Sequence, residues 1–574
     1  MSGRTLFLVP ARGGSRRFPG KNVRHLAGIP LVGWAARIAR VAATDDDLVV
    51  CSTDDPAIAA AAEAWDAALL DRPPELATDE ATSLSVALHA LEVLARAGHD
   101  IDLLALVQPT SPLTDPADLA GAVRLARDTG RSVTSVTPSH PAAWHHRRDD
   151  DGLLYALRST GGGAEPLDPA THLLTGGFYV ASPDALRRAG RFVEAGATLG
   201  VEVPPDRAID VDTADDLVVA AARLRARPVP PLRVGAWEVG LDGVFVIAEA
   251  GVNHDGDVDV AHRLVEAAVD AGANAVKFQT FVPEALASAG APTAAYQRER
   301  VGADDQRAML ARLALPSEAW AALQAHARDR GIVFLSTPFD EASADLLDGL
   351  GVPAFKVGSG ELTNLPFLAG LARRGRPLIV STGMATMVEV AAAVDAIRAT
   401  GERQLALLQC VSSYPAAPAD ANLAAMATMR EAFGVQTGWS DHTPGIELPV
   451  AATALGAAIV EKHLTLDRNR HGADHAMSLE PPEFAAMVAA TRSTSLGAGD
   501  GDKVPTAAER EIAAVARRSL HWTLDLPAGT TIEAGHLTAQ RPGTGISPAR
   551  GSALIGRTTN RDVTAGTMVQ DGDA

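Results

Sequence analysis

The sequence predicts an α/β protein in three parts: a mostly parallel N-terminal sheet, a central (β/α)8 barrel and a small β-rich module at the end. Three observations predict it. The chain has 574 residues, more than one hydrophobic core ordinarily serves. Short apolar runs alternate with Ala-rich helical stretches, the pattern of a parallel sheet covered on both faces, and this pattern stops near residue 226 and starts again. In the second stretch eight strand candidates follow one another, the number that closes a barrel.

In order along the chain, residues 1–226 carry the strand candidates TLFLVPA, DLVVCSTDD, LLALVQPT, RSVTSVTP and LTGGFYVAS. Residues 227–241 contain Pro228, Pro230 and Pro231, which cannot continue a helix, and are expected to be a linker. The barrel is placed at 242–505, with strands VFVIAEAG, AVKFQTF, IVFLSTPF, AFKVGSG, PLIVSTGM, LALLQCVSS, VQTGWSDHT and AIVEKHLTL. Between them lie helical stretches such as DVAHRLVEAAVDAG. Residues 506–574 turn Gly-, Pro- and Thr-rich, with LHWTLDLPAGTTI and LIGRTTNRDVTAGT, and read as a small β module. There is no internal repeat.

Gross composition excludes several classes of function. A net charge of −19 argues against a nucleic-acid or anionic-membrane partner, so any anionic substrate must be drawn by local basic residues. Only Cys51 and Cys410 occur, each inside an apolar run, which suits two buried thiols in a reducing cytoplasm and provides no disulfide framework. The opening MSGRTLFLVPARGG is too short in apolar residues for a signal peptide, and a cytoplasmic location is expected.

Two groups of residues carry chemistry. In the first, the strand LFLVPA runs into a glycine-containing loop, Arg12 to Asn22, with four cations: Arg12, Arg16, Arg17 and Lys21. Such a loop can set backbone N–H groups and cations around a triphosphate, although a solvated turn has the same composition. Asp210 and Asp212 alternate on a strand-like run and share a face, where they could hold Mg²⁺ or simply be solvated. The whole string resembles the opening of acylneuraminate (CMP-sialic acid) cytidylyltransferases. The resemblance continues through Ser52-Thr53-Asp54-Asp55, Arg72-Pro73, Gln108-Pro109-Thr110-Ser111-Pro112-Leu113 and Asp210-Val211-Asp212-Thr213. It implies a nucleotidyltransferase sheet in which Arg12, Gly13, Ser15, Lys21, Asn22, Arg72, Ser83 and Gln108 bind CTP. It further implies that Asp210, Asp212 and Lys21 are catalytic, with Mg²⁺ on the two aspartates. The anomeric hydroxyl of a sugar acid would attack the α-phosphate and pyrophosphate would leave. Thr175 stands where the family often has Asn, which leaves the sugar open.

In the second group, the residues that close the barrel strands form one set: Glu249, Lys277 with Gln279, Thr337, Lys356 with Ser359, Ser381, Ser412 or Ser413, Asp441-His442, and Glu461 with His463. Active sites of such barrels lie at these strand ends. Two lysines and several hydroxyls suit a small ligand with both phosphate and carboxylate, and two histidines suit a divalent transition metal. Any one of them alone could be structural. The strings Ala248-Glu249-Ala250-Gly251-Val252-Asn253-His254, Val276-Lys277-Phe278-Gln279, Phe355-Lys356-Val357-Gly358-Ser359, Ser440-Asp441-His442-Thr443 and Glu461-Lys462-His463 resemble sialic acid synthases in order and spacing.

That resemblance implies a TIM barrel in which Lys277, Gln279, Thr337, Lys356, Ser359, Ser381 and Ser412 bind phosphoenolpyruvate. Glu249 and Asp441 would be catalytic, and His442 and His463 would hold Mn²⁺ or a similar divalent ion. Asp474, Tyr414 and Arg541 would meet the aldose acceptor. Cys410-Val411-Ser412-Ser413-Tyr414-Pro415 resembles synthases of other nine-carbon acids. The tail, with Gln540-Arg541-Pro542-Gly543-Thr544-Gly545-Ile546, resembles the antifreeze-like (SAF) domain attached to these synthases, which in the family covers the barrel of a partner subunit. The implied whole is a homodimeric bifunctional enzyme. It condenses phosphoenolpyruvate with an N-acetylhexosamine-type aldose to a nonulosonic acid and activates that acid with CTP. Alternatives are legionaminate, pseudaminate or a deaminated nonulosonate as the product, or one half kept as a silent binding scaffold.

Overall fold

The computed structural model describes residues 3–139, 146–148, 154–156, 171–293, 298 and 305–574. The chain divides into two compact units, Met1–Gly497 and Ala498–Ala574.

The first unit opens on a seven-stranded sheet. Its order from edge to edge is Leu199–Glu202, Val133–Pro138, His172–Ala181, Leu103–Val107, Thr5–Pro10, Leu48–Thr53 and Ala68–Asp71. Neighbours are parallel except His172–Ala181, which runs antiparallel to both of its neighbours. The central strands Thr5–Pro10 and Leu103–Val107 are buried along their length, as continuous apolar runs in a sheet covered on both faces should be. The edge strands Ala68–Asp71 and Leu199–Glu202 are four-residue additions that apolar patterning does not mark. Asp210 and Asp212 sit outside any strand, on an extended run held by Val211 N–H to the Thr110 carbonyl at 2.7 Å. Buried Val211 separates them, and a Thr213/Asp216 capping box then starts helix Ala214–Ala226.

The stretch expected to be a linker is a β-hairpin, Leu232–Val234 paired with Trp237–Val239 around Gly235 at φ 64°. Leu232, Val234 and Val239 are fully buried against Phe245, Ile247, Ala275, Ile379 and Ile459, the first inward residues of the barrel strands. The hairpin therefore closes the floor of the barrel.

All eight expected barrel strands are present. Their hydrogen-bonded order is Val333–Pro338, Ala275–Thr280, Phe245–Gly251, Ile459–His463, Gln436–Asp441, Leu405–Cys410, Leu378–Ser381, Phe355–Val357, and the two end strands lie against each other. The seven strand pairings that carry a defined register, from Val333–Pro338 round to Phe355–Val357, are all parallel. Alternation along each strand sets its two ends apart: Phe245 and Ile247 precede Glu249, Ala275 precedes Lys277, Ile379 precedes Ser381, and Ile459 precedes Glu461. The inside is thus apolar at the floor and polar at the mouth.

The second unit contains helix Ala507–Ala516, which buries none of its residues, and an antiparallel pair, Ser519–Trp522 with Leu537–Gln540, packed on a small core that includes Leu520, Trp522, Ile532 and Val569. Cys51 and Cys410 are free and buried, and burial pushes the Cys51 thiol up to about 12. Among the described residues no helix is long and apolar enough to cross a membrane.

Candidate active sites

The nucleotide-loop residues come together at the end of strand Thr5–Pro10. Asn22 donates to the Arg12 carbonyl at 3.0 Å and Gly13 N–H to Asp54 at 3.0 Å, so the loop is tied both to its own far end and to the neighbouring strand. Its cations are already paired: Arg12 and Arg16 with Asp79 at 2.6 and 2.9 Å, Lys21 and Arg17 with Asp212 at 2.9 and 2.7 Å. Ser15 is half-buried in the same loop, and Ser83 opens helix Ser83–Arg96 behind its Thr82 cap. Gln108 accepts from Thr110 at 3.4 Å, and Thr110 in turn bonds Asp210. Arg72 is buried, and both its Nε and its Nη2 donate to Ser52, at 3.3 and 2.7 Å. That use braces the strand end and leaves less of the guanidinium for a nucleotide than the resemblance implies. Burial, and then Asp212, push the Asp210 carboxyl above its usual range. A hard cation shared by the two carboxylates would relieve that repulsion, so the donor set fits Mg²⁺.

At the barrel mouth Lys277 lies 2.7 Å from Glu249 and 3.9 Å from Glu461, and donates to Thr337 at 3.1 Å. Lys356 donates to Ser381 at 2.7 Å and lies 3.6 Å from Glu461. Gln279 donates to the other Glu249 oxygen at 3.0 Å. Burial, and then the carboxylate of Glu461, raise Glu249 against the opposing pull of Lys277. Burial depresses Lys356 despite Glu461. Two ammoniums balanced by two carboxylates leave no net positive charge for a polyanion, so its entry must loosen these pairs. Beside Lys356, Ser359 accepts from Gly383 N–H at 3.0 Å, and the Ser412 hydroxyl is buried with no hydrogen-bond partner. A Cβ built on Gly383 would lie 2.8 Å from Ser359 Oγ and closer still to Ser412 Oγ. Two hydroxyls therefore crowd the side-chain-free face of Gly383, an arrangement open to an anion. Glu461, given no role from the sequence, joins both lysines and accepts from Ser440 at 3.0 Å.

His442 and His463 face each other with ring centroids 5.4 Å apart, and Tyr414 lies 4.2 Å from His442. The Val411 carbonyl can only accept, so His442 Nδ1, at 2.7 Å, carries the proton and Nε2 keeps its lone pair. His463 Nδ1 is buried without a hydrogen bond, 3.9 Å from Asp474. Burial holds both imidazoles below their usual range and therefore neutral, the form that binds a metal. This arrangement fits a divalent ion with imidazole ligands. Burial, and then Glu249, push the Asp474 carboxyl up to about 6.

One expected site residue points elsewhere. Asp441, expected to be catalytic, points to the outer side of its strand. It is buried there against Lys462 at 2.6 Å, and Thr443 N–H and Oγ1 donate to it at 2.8 and 2.7 Å. Strand alternation is the reason: Ser440 and His442 share the inner face, so the residue between them cannot. Arg541 belongs to the second unit, where its Nε donates to the Ala516 carbonyl at 3.0 Å. One network was not foreseen: Asp255 pairs with Arg470 at 2.9 Å and with His475 at 3.1 Å, tying the Asn253–Gly256 turn to the segment that bears Asp474.

Comparison with known proteins finds three family models in order: a cytidylyltransferase model over residues 6–148, the NeuB family model over 264–503 and a SAF domain model over 517–574. The chain is 40% identical over 330 residues to the N,N'-diacetyllegionaminic acid synthase of Campylobacter jejuni, covering 57% of this chain and 99% of that protein. With the N,N'-diacetyllegionaminic acid synthase of Legionella pneumophila the identity is 42% over 330 residues, 57% of this chain and 93% of that one. With the N-acetylneuraminate-9-phosphate synthase of Mus musculus it is 34% over 307 residues, 53% and 85% of the two chains.

Proposed function

The chain belongs to the NeuB family, with a cytidylyltransferase domain ahead of its synthase domain and a SAF domain behind. From that premise we propose that it makes a nonulosonic acid from phosphoenolpyruvate and an aldose, then links the acid to CMP. The observation that carries the reading is the pair of Lys277 and Lys356 held beside the Ser359, Ser412 and Gly383 cradle at one barrel mouth. In this reading the lysines receive the phosphate and carboxylate of phosphoenolpyruvate, displacing Glu249 from Lys277. Freed, Glu249 moves a proton at the new hydroxyl or at the attacking water, with Gln279 holding its other oxygen. Asp474 orients acceptor hydroxyls, and Tyr414, whose ring lies against His442, meets the same sugar. His442 and His463 would hold a divalent ion, which supplies polarisation of the acceptor aldehyde.

In the sheet domain, Arg12, Arg17 and Lys21 turn from Asp79 and Asp212 to the triphosphate of CTP. Asp210 and Asp212 would hold Mg²⁺, which supplies charge neutralisation at the α-phosphate. A homodimer in which Arg541 serves the acceptor sugar belongs to the same proposal.

The product favoured is a legionaminate-type acid, because the legionaminic acid synthases share 40% and 42% identity with this chain and the mouse neuraminate-9-phosphate synthase shares 34%. The test is a panel of six-carbon aldoses with one or two acetamido groups, each given with phosphoenolpyruvate, CTP and metal. Mass of the cytidine-linked product identifies the sugar, and a product only from the mono-acetamido aldose would refute the legionaminate assignment.

A further inference from the structure

Asp441 and Lys462 are both fully buried, on the outer face of adjacent barrel strands, and are direct cross-strand partners. Each immediately precedes one of the two histidines of the mouth, His442 and His463. The Lys462 ammonium donates to Asp441 Oδ2 at 2.6 Å and also to the Thr443 carbonyl. Asp441 Oδ1 accepts from both Thr443 N–H and Thr443 Oγ1. The backbone on either side of His442 is therefore pinned to the residue before His463. The pairing between these two strands runs through Trp439–Val460, Ser440–Glu461 and Asp441–Lys462 and stops short of both histidines, while His463 is paired on its other side with Glu249. The ion pair is thus the last cross-link between the two histidine-bearing strands, one residue below both imidazoles.

A buried charge pair is a weak way to gain stability, since desolvation offsets most of its attraction, but breaking one partner is costly. Its value here lies in place. We infer that Asp441 and Lys462 are positioning residues that set the distance and tilt between His442 and His463, and so the affinity of the mouth for a divalent ion. The inference rests on the two-histidine metal reading above. Outer partners of metal ligands act in this way elsewhere, and losing them weakens binding by about 10- to 100-fold.

The test uses the full chain and Mn²⁺ alone, with free Mn²⁺ followed by electron paramagnetic resonance. Lys462→Met leaves Asp441 buried without its partner and can fail to fold. The informative protein is therefore Asp441→Asn/Lys462→Met, which carries no unpaired charge and keeps an acceptor for Thr443. Denaturant unfolding followed by tryptophan fluorescence, to which Trp439, fully buried in the Asp441 strand, contributes, reports the folded fraction of the barrel. The expected result is Mn²⁺ binding weakened at least about tenfold in a variant whose barrel is folded at the assay condition. Wild-type affinity in the folded double variant would overturn the inference while leaving the metal reading intact. If the wild-type chain binds no Mn²⁺ tightly, or His442→Ala binds it as well as wild type, the metal reading falls and takes this inference with it.

Discussion

Arg37 holds Asp395 with both arms of its guanidinium, Nε to Oδ2 at 2.8 Å and Nη2 to Oδ1 at 2.6 Å. The first lies on helix Leu31–Ala42 beside the seven-stranded sheet, the second on barrel helix Met387–Ala399. The same guanidinium lies over the rings of Trp34 and Phe433, and Arg225 meets Glu431 at 2.8 Å nearby. Helices Leu31–Ala42 and Ala214–Ala226 begin close after the loop that bears Lys21 and directly after Asp212–Thr213, so the elements that dock on the barrel also frame the nucleotide loop.

With side chains only 13% and 23% exposed, the Arg37–Asp395 pair is shielded from screening. Either alanine variant is expected to lose about 1.5–3 kcal/mol in denaturant unfolding of the first unit. The double variant should cost less than the sum of the singles by about 0.5 kcal/mol or more. Strict additivity would show that the two side chains do not act together.

The two chemistries should part under mutation, because their residues stand on different sheets. Asp212→Ala is expected to lower pyrophosphate release at least about 100-fold and spare phosphate release, and Glu249→Gln to do the reverse. Loss of both activities in either folded variant would contradict two separate sites.

Gly383→Ala tests the anion cradle. The added methyl would intrude on Ser359 Oγ and Ser412 Oγ, and the backbone there needs no positive φ, so strain does not confuse the result. The KM for phosphoenolpyruvate should rise at least about tenfold, with CTP activation unaffected. An unchanged KM would remove these hydroxyls from the ligand.

His254 gives a pH signature. It is 1% exposed, its Nδ1 accepts from Gly256 N–H at 3.1 Å, and burial pulls its pKa down to about 4. Above pH ~6.5 neither the folded nor the unfolded chain protonates this ring, and its contribution is fully present. As pH falls from ~6.5 toward 4 the unfolded chain takes up a proton that the folded chain refuses, so stability drops by about 3 kcal/mol. His254→Asn should show a shallower loss between pH 7 and 4.5 in urea titrations, and an unchanged slope would exclude His254 as the source.

The barrel was legible because each strand is an apolar run that ends in a polar motif, and the eight strand ends already named most of the mouth. Ala68–Asp71 and Leu199–Glu202 were hidden because an edge strand needs little burial to pair. The hairpin at Leu232–Val239 was read as slack chain from its prolines. Its apolar residues have meaning only against a barrel floor that sequence patterning does not display. Asp441 was within reach, since parity with Ser440 and His442 puts it on the outer face. Its pairing with Lys462 needed the register. Glu461 stood at a strand end like the rest, and only the distances to two lysines revealed its part.

The hairpin also decides where this polypeptide can be cut into two genes. Severed ahead of Pro228, the synthase half would carry away its own floor and could be expressed alone. Severed at residue 242, where apolar patterning sets the start of the barrel, it would leave Phe245, Ile247 and Ile459 facing water from below, and the other half would bear three stranded apolar side chains. The fusion is therefore not two enzymes on a tether: the seam itself is part of one of them.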